Sequence, residues 1–346
     1  MTLRGMGVLV LALGLLGPLA AQEPDDEQLE EQRRQDELYH QRYATPAPEA
    51  APVAGDQAAV ERALALIRDS NHRALRTESV VLDTDDPRID LRAVARLVEV
   101  TRRLFETVFR ERSELAPDHE PARLFLFWSY ADYNQLVGGS FGRSLLRPKG
   151  HYGTMFDAIA LHTDSDAPGG LGDTIVHEVA HRLIDRRLYA GGGVPPPWLA
   201  EGLAEYFGRT RVDEHEAFEP GVVGAKAVPL FTDGKARGDT ADSKGRLRSL
   251  ERALRTRETA IAGPVIRADP AAFYGESALA HYATAWLIVH WLLDGGDPAR
   301  AAGFAEYLTL DRRGEGGAEA FFRAIGVAEA DLDAALLEHA GHVRVR

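Results

Sequence analysis

One short run can do chemistry by itself: His177-Glu178-Val179-Ala180-His181. Val176, Val179, Ala180 and Leu183 recur at helical spacing, so the run is predicted to lie on an amphipathic helix, with Asp173 or Thr174 capping its start. On a helix, residues four apart project from one face about one turn apart, which lets two imidazoles share one metal ion. Glu178 is rotated toward the open coordination position, where it can take a proton from a water molecule. Glu201 follows His181 by 20 residues. Between them lie Gly191-Gly192-Gly193 and Pro195-Pro196-Pro197, which cannot continue a helix. The phrase WLAEGLAEYF then starts a second helix at Trp198, closed by Gly208. A helix, a turn and an antiparallel return helix bring Glu201 opposite the two histidines. Three protein ligands with one position left open is the arrangement of catalytic zinc, whereas structural zinc is closed by four. One Zn2+ per chain is therefore expected on His177, His181 and Glu201. Glu205, one turn beyond Glu201, is placed to accept the free ring N–H of a ligating histidine. Gly202 removes a side chain where two helices approach closely.

The competing reading of the five-residue run alone is a helix with two surface histidines. The second helix with its carboxylate tips the balance toward a metal site. His290, inside the apolar run Trp286 to Leu293, reads instead as a core histidine. Asp294 to Asp297 offers too few ligand positions for calcium and reads as a turn.

Other elements must position these groups. A first helix is expected from Ala58 to about Arg68, and a strand over Thr77 to Asp83. Ile89 to Arg112 reads as an amphipathic helix, with Val94, Leu97, Val98, Leu104, Phe105 and Val108 on one stripe. Strands follow at Ala122 to Phe127 and Ala158 to His162, with a helix starting at Ser129 between them. Everything from Gly170 onward reads as helical. The expected class is α+β: a sheet-containing part in residues 58–169 and a helical part in 170–346. Val212 to Arg257, charged and Gly-containing, is placed to act as a flap over the cleft. His151 and Tyr152, just before the third strand, are candidates to line it.

The N-terminus reads as an export signal. Arg4 is followed by an apolar run from Val8 to Leu16, with small Ala20 and Ala21 before Gln22, so residues 1–21 are expected to be a signal peptide. The run is short for a bilayer span. The expected location is periplasmic or extracellular. Residues 22–57, rich in Gln, Glu, Asp, Pro and Ala, read as a polar linker. The chain contains no cysteine, so neither a disulfide nor a thiolate ligand is available. A formal charge of −13 argues against a nucleic-acid partner.

The run HEVAH followed by PPPWLAEGLAEYF resembles the gluzincin metallopeptidases of the peptidase MA clan, including their bacterial peptidase MA-like domains. The close match covers about thirty-five residues. The resemblance implies a thermolysin-like catalytic domain in which a small mixed sheet packs on the metal helix and an edge strand aligns an extended peptide, a role open to strand 158–162. It implies His177, His181 and Glu201 as ligands, Glu178 as general base and Glu205 as the acid behind a ligand. It also implies a downstream tyrosine or histidine as oxyanion donor. Tyr282, Tyr274 and His281 are the candidates, with Tyr282 favoured. Aminopeptidases of the clan carry Gly-x-Met-Glu-Asn before the zinc helix. Here the nearest phrase is Gly153-Thr154-Met155-Phe156-Asp157, and Phe156 stands where the amine-gripping Glu belongs, so aminopeptidase specificity is not carried over.

The expected activity is hydrolysis of peptide bonds in a peptide or protein substrate. The alternatives are a zinc-binding periplasmic binding or assembly module without catalysis, and an exported helical interaction domain without metal. The presence of Glu178 separates the first alternative from an enzyme, because a pure metal scaffold has no use for an acid there.

Overall fold

The computed structural model describes residues 57–68, 72–137, 149–154, 156–163, 170–213, 215–232, 247–248, 250–255 and 261–346. The expected signal peptide and nearly all of the expected linker lie outside them. Helix α1 (Gln57–Arg68) leads into β1 (Arg73–Arg76) and β2 (Val80–Thr84). The expected strand over Thr77 to Asp83 is thus the turn and second arm of a hairpin, the arm starting at Val80, with Thr77 donating its N–H to the Val80 carbonyl at the turn. Helix α2 (Leu91–Phe109) is capped by Asp90, whose carboxylate accepts the N–H groups of Arg92 and Ala93. Its predicted apolar stripe is buried throughout.

Strand β3 (Ala122–Phe127), helix α3 (Tyr130–Val137), strand β4 (Gly150–Gly153) and strand β5 (Ala158–His162) complete a five-stranded sheet in the order β1-β2-β3-β5-β4. The inner pairs β2–β3 and β3–β5 are parallel, and the flanking strands are antiparallel. Both faces are covered, which is why ARLFLF and AIALH do not alternate. Leu82, Leu124, Leu126, Ile159 and Leu161 join the main core with α2, whereas Phe125, Phe127, Ala158 and Ala160 pack with Ala63, Ile67 and Tyr133 of α1 and α3.

This order corrects one expectation. Strand 158–162 is interior, and the edge strand beside it is β4, with β1 at the opposite edge. His162 donates its N–H to the Lys149 carbonyl. By the antiparallel alternation, residues 149, 151 and 153 then bond to β5, and the backbone groups of Gly150 and Tyr152 face outward.

Helix α4 (Leu171–Leu183) continues into a π-helical turn (Ile184–Leu188). The helix starts one residue after Gly170, so neither Asp173 nor Thr174 caps it. Helix α5 (Pro197–Arg209) opens on the last residue of the proline run, where a missing N–H costs nothing. Then come β6 (Thr210–Val212) and β7 (Phe218–Val223), the short helices α6 (Ala262–Arg267) and α7 (Pro270–Phe273), and helices α8 (Ala278–Asp294), α9 (Pro298–Arg312), α10 (Ala318–Ile325) and α11 (Glu329–Ala340), ending in β8 (Arg344–Val345). From Ala285 to Leu293 every residue of α8 is buried, as expected of a helix that is apolar all round. A Cβ on Gly202 would stand 2.6 Å from the Ala285 carbonyl oxygen, so the expected close approach is that of α5 on α8.

The second half is not wholly helical. Strands β6, β7 and β8 form a three-stranded sheet that ties the chain's last residues to the segment after α5. Part of the expected flap is therefore packed: Val222, Val223, Val228, Leu230 and Phe231 are buried. The molecule is a mixed α+β structure with small mixed sheets and many helices. No described helix is long and apolar enough to cross a membrane.

Candidate metal centre

Helices α4 and α5 pack side by side, and their shared seam carries the three expected ligands. His177 Nε2 and His181 Nε2 lie 3.1 Å apart. Glu201 Oε2 lies 3.4 Å from the first and 3.3 Å from the second. A tetrahedral ion with bonds of about 2.0–2.1 Å holds its ligand atoms about 3.3 Å from one another. The triangle thus has the size of one face of such a site. Among the described residues, this is the group of His and acidic side chains placed to hold a metal ion.

The two oxygens of Glu201 have different surroundings. Oε1 accepts the Tyr274 hydroxyl at 2.9 Å. Oε2 is buried, makes no hydrogen bond, and faces the two imidazole nitrogens. A buried carboxylate oxygen left without a donor is costly, and a cation between it and the imidazoles removes that cost. The donor set of two imidazoles and a carboxylate fits zinc.

Charge balance points the same way. Burial disfavours a charged His177, yet the carboxylates of Glu201, Glu178 and Glu205 outweigh it and lift its pKa to about 9. Burial likewise works against an ionised Glu201, but His181 and His177 hold it far below the usual carboxylate range. Three carboxylates converge on the seam; Arg209 pairs with Glu205, and without a metal a protonated His177 serves as counter-charge to the others.

Glu178 sits beside the triad. Burial raises its pKa, opposed by His177 and His181, and its carboxylate accepts the Tyr152 backbone N–H from the free edge of β4. Its stem fits because Gly150 has no side chain: a Cβ there would stand 2.9 Å from Glu178 Cγ. Glu205 Oε1 is 3.7 Å from His177 Nδ1, on the ring face away from Glu201, and its other oxygen is held by Arg209 at 2.5 Å. The π-helical turn after His181 carries the chain to Tyr189, whose hydroxyl donates to Asp311 at 2.6 Å in the core.

Both candidate tyrosines reach the third ligand. Tyr274 bonds it directly, and the Tyr282 hydroxyl lies near it, its pKa raised by burial and by the charges of Glu201, Glu205 and Glu178. His281 is turned away, its Nδ1 against the Phe273 carbonyl at 2.8 Å. His151 does face the site: burial and then His181 push its pKa down to about 3. Tyr152 does not line the cleft with its ring, since its hydroxyl donates to Asp185 at 2.8 Å and to Asp157 at 3.1 Å. His290 is the expected core histidine, its Nδ1 2.8 Å from His339 Nε2. Asp294 to Asp297 is the expected turn, Gly296 taking a positive φ of 70°.

Sequence reasoning missed Gly150, Arg209 and the bond of Tyr274 to Glu201. A Gly two residues before Tyr152 carries no signal until the strand is laid beside α4. Arg209, four residues after Glu205, was detectable as a helical ion pair.

The model of a family described as a protein of unknown function, DUF1570, matches residues 172–308. That span holds both ligand helices, Tyr274 and Tyr282. No curated protein matches the chain.

Proposed function

We propose that this chain is an exported zinc-dependent peptidase of gluzincin type. The observation that carries the reading is the triangle of His177, His181 and Glu201, with one carboxylate oxygen buried and unbonded and Glu178 alongside. A thermolysin-like layout is supported by the mixed sheet whose antiparallel edge strand β4 borders the ligand helix.

Zinc bound there supplies a Lewis acid and lowers the pKa of a water molecule toward about 7. Glu178 takes the proton of the attacking water and passes it to the departing amine. Glu205 and Tyr274 hold His177 and Glu201 in place. Tyr282 is the donor to the oxyanion of the scissile carbonyl. The outward backbone groups of Gly150 and the outward carbonyl of Tyr152 pair with an extended peptide.

The test is metal content followed by cleavage. Purified protein is expected to hold about one zinc per chain, and Glu201→Ala clearly less. Native protein is expected to cut members of a peptide library, and Glu178→Gln to hold zinc but cut none. Native protein that neither contains nor takes up zinc removes the reading. Zinc without cleavage of any peptide leaves a metal-binding module instead.

A further inference from the structure

We propose that Lys226 is a positioning residue for the metal centre, cross-bracing the two helices that carry the ligands. This rests on the metal-site reading above. Lys226 follows β7 in a segment paired to β6: Ala227 donates its N–H to the Val212 carbonyl at 2.8 Å. Its side chain runs inward and is 4 % exposed. The stem lies over Gly172, in the first turn of α4, where a Cβ would stand 3.1 Å from Lys226 Cβ. The ammonium donates to the Gly208 carbonyl at 2.6 Å and lies 3.2 Å from Asp173 Oδ1.

These partners belong to different helices. Gly208 sits in the last turn of α5, where carbonyls lack helical donors and the helix end carries partial negative charge. Asp173 sits in the first turn of α4. One buried cation thus satisfies an orphan carbonyl of one ligand helix and a carboxylate of the other. The helices touch at this level: a Cβ on Gly208 would stand 3.2 Å from the Asp173 carbonyl oxygen and 3.4 Å from His177 Cβ. Moving along the seam, the next rung is Glu205 with His177 and the one after is Glu201 with both histidines. Lys226 fixes the rung one turn before the first ligand, so it sets the spacing that the triangle of donor atoms requires.

A buried ammonium is expensive, and apolar replacements of buried ion pairs are often tolerated or stabilising. A positioning role therefore predicts a specific pattern. Lys226→Met keeps the length of the stem and removes the brace. Its zinc dissociation constant, measured on the full chain by competition with a chromophoric chelator, is expected to rise about tenfold, the lower end of the loss seen when groups that orient ligands are removed. The visible spectrum of the Co2+-loaded protein is expected to change with it, since the ligand geometry changes. Lys226→Gln, which keeps a donor for Gly208, is expected to recover part of the affinity.

Folded Lys226→Met with zinc affinity within twofold of native and an unchanged Co2+ spectrum overturns the inference and leaves the metal site standing. Native protein without affinity for zinc or Co2+ removes the site and the inference together. Should Lys226→Met not fold, Asp173→Asn keeps the lysine and its bond to Gly208 while loosening its hold on α4. The same rise in dissociation constant supports the brace, and its absence overturns it.

Discussion

Helix α4 carries two polar clusters on different faces, and they are built on opposite principles. Around Arg182 opposite charges match, with Arg182 Nε 2.9 Å from Asp157 Oδ1. Its guanidinium bonds Asp118 at 2.5 Å, Asp157 at 3.0 Å and the Glu120 carbonyl at 3.2 Å, joining the helix to the segment before β3 and to the turn before β5. Around His177 and His181 they do not match. Three carboxylates converge there, one buried oxygen has no donor, and His177 is driven toward its charged form. The closed cluster balances its own charges, whereas the open one has the charge and donor set to hold a cation. An excess of buried carboxylates on one face of a helix, beside an ion-paired cluster on another, is what makes the first the candidate site.

The sharpest way to break this contrast is at Glu178. Glu178→Gln keeps size and removes the proton acceptor, so peptide cleavage is expected to fall by about a thousandfold while zinc content stays native. Cleavage retained within tenfold would show that the open cluster does not work as a hydrolytic site. The counterpart in the closed cluster is Arg182→Met. It strands Asp118 and Asp157 without their cation, and chemical denaturation of the metal-free protein is expected to show a loss of about 3 kcal/mol. Glu178→Gln is expected to leave metal-free stability unchanged or slightly raised, because it removes one of the converging charges. Equal losses for both variants would erase the distinction.

The open cluster was readable from sequence because it is local. His177, Glu178 and His181 share one helix, and Glu201 is linked to them by a single turn whose glycines and prolines leave no helical option. Strands β3 and β5 were readable as short, mostly apolar runs. What stayed hidden depends on pairing between distant segments. β4 is four residues with two glycines, and it becomes the free edge only once β5 is laid between it and β3. β8 is two residues long and exists because β7 lies beside it. Lys226 sits in a charged, Gly-containing stretch that resembles a surface loop, and its burial is decided by contact with Gly172 and Gly208.

A smaller effect is expected at Gly150. A Cβ there meets Glu178 Cγ and Leu161 Cδ2 at 2.9 Å and Thr174 Cγ2 at 3.0 Å. Gly150→Ala is expected to lower kcat about tenfold with zinc retained, because displacing a catalytic group by a fraction of an ångström is enough to cost a decade. Adding Thr174→Ser removes one of the other contacts and isolates the push on Glu178. A kcat that returns to native in the double variant would place the strain on Thr174 rather than on the base.

The last expectation concerns protons rather than residues. In the metal-free protein His177 is held protonated up to a pKa of about 9 by its carboxylate neighbours, and a ligand nitrogen must be free of its proton. Zinc binding near neutral pH is therefore expected to release about one proton from His177, measurable by calorimetry in buffers of different ionisation enthalpy. The release fades as pH rises through about 9, where His177 has already lost its proton. Metal-free stability follows the same group with its own sign. A raised pKa means that its contribution is fully present below the ordinary histidine value of about 6.5 and is lost as pH rises through the folded value. The metal-free and zinc-loaded forms should thus diverge with alkali, the first losing this contribution while the second keeps its counter-charge from the ion. Release that is absent near neutral pH would mean that His177 is already neutral there, and the carboxylates of the open cluster would then need another counter-charge.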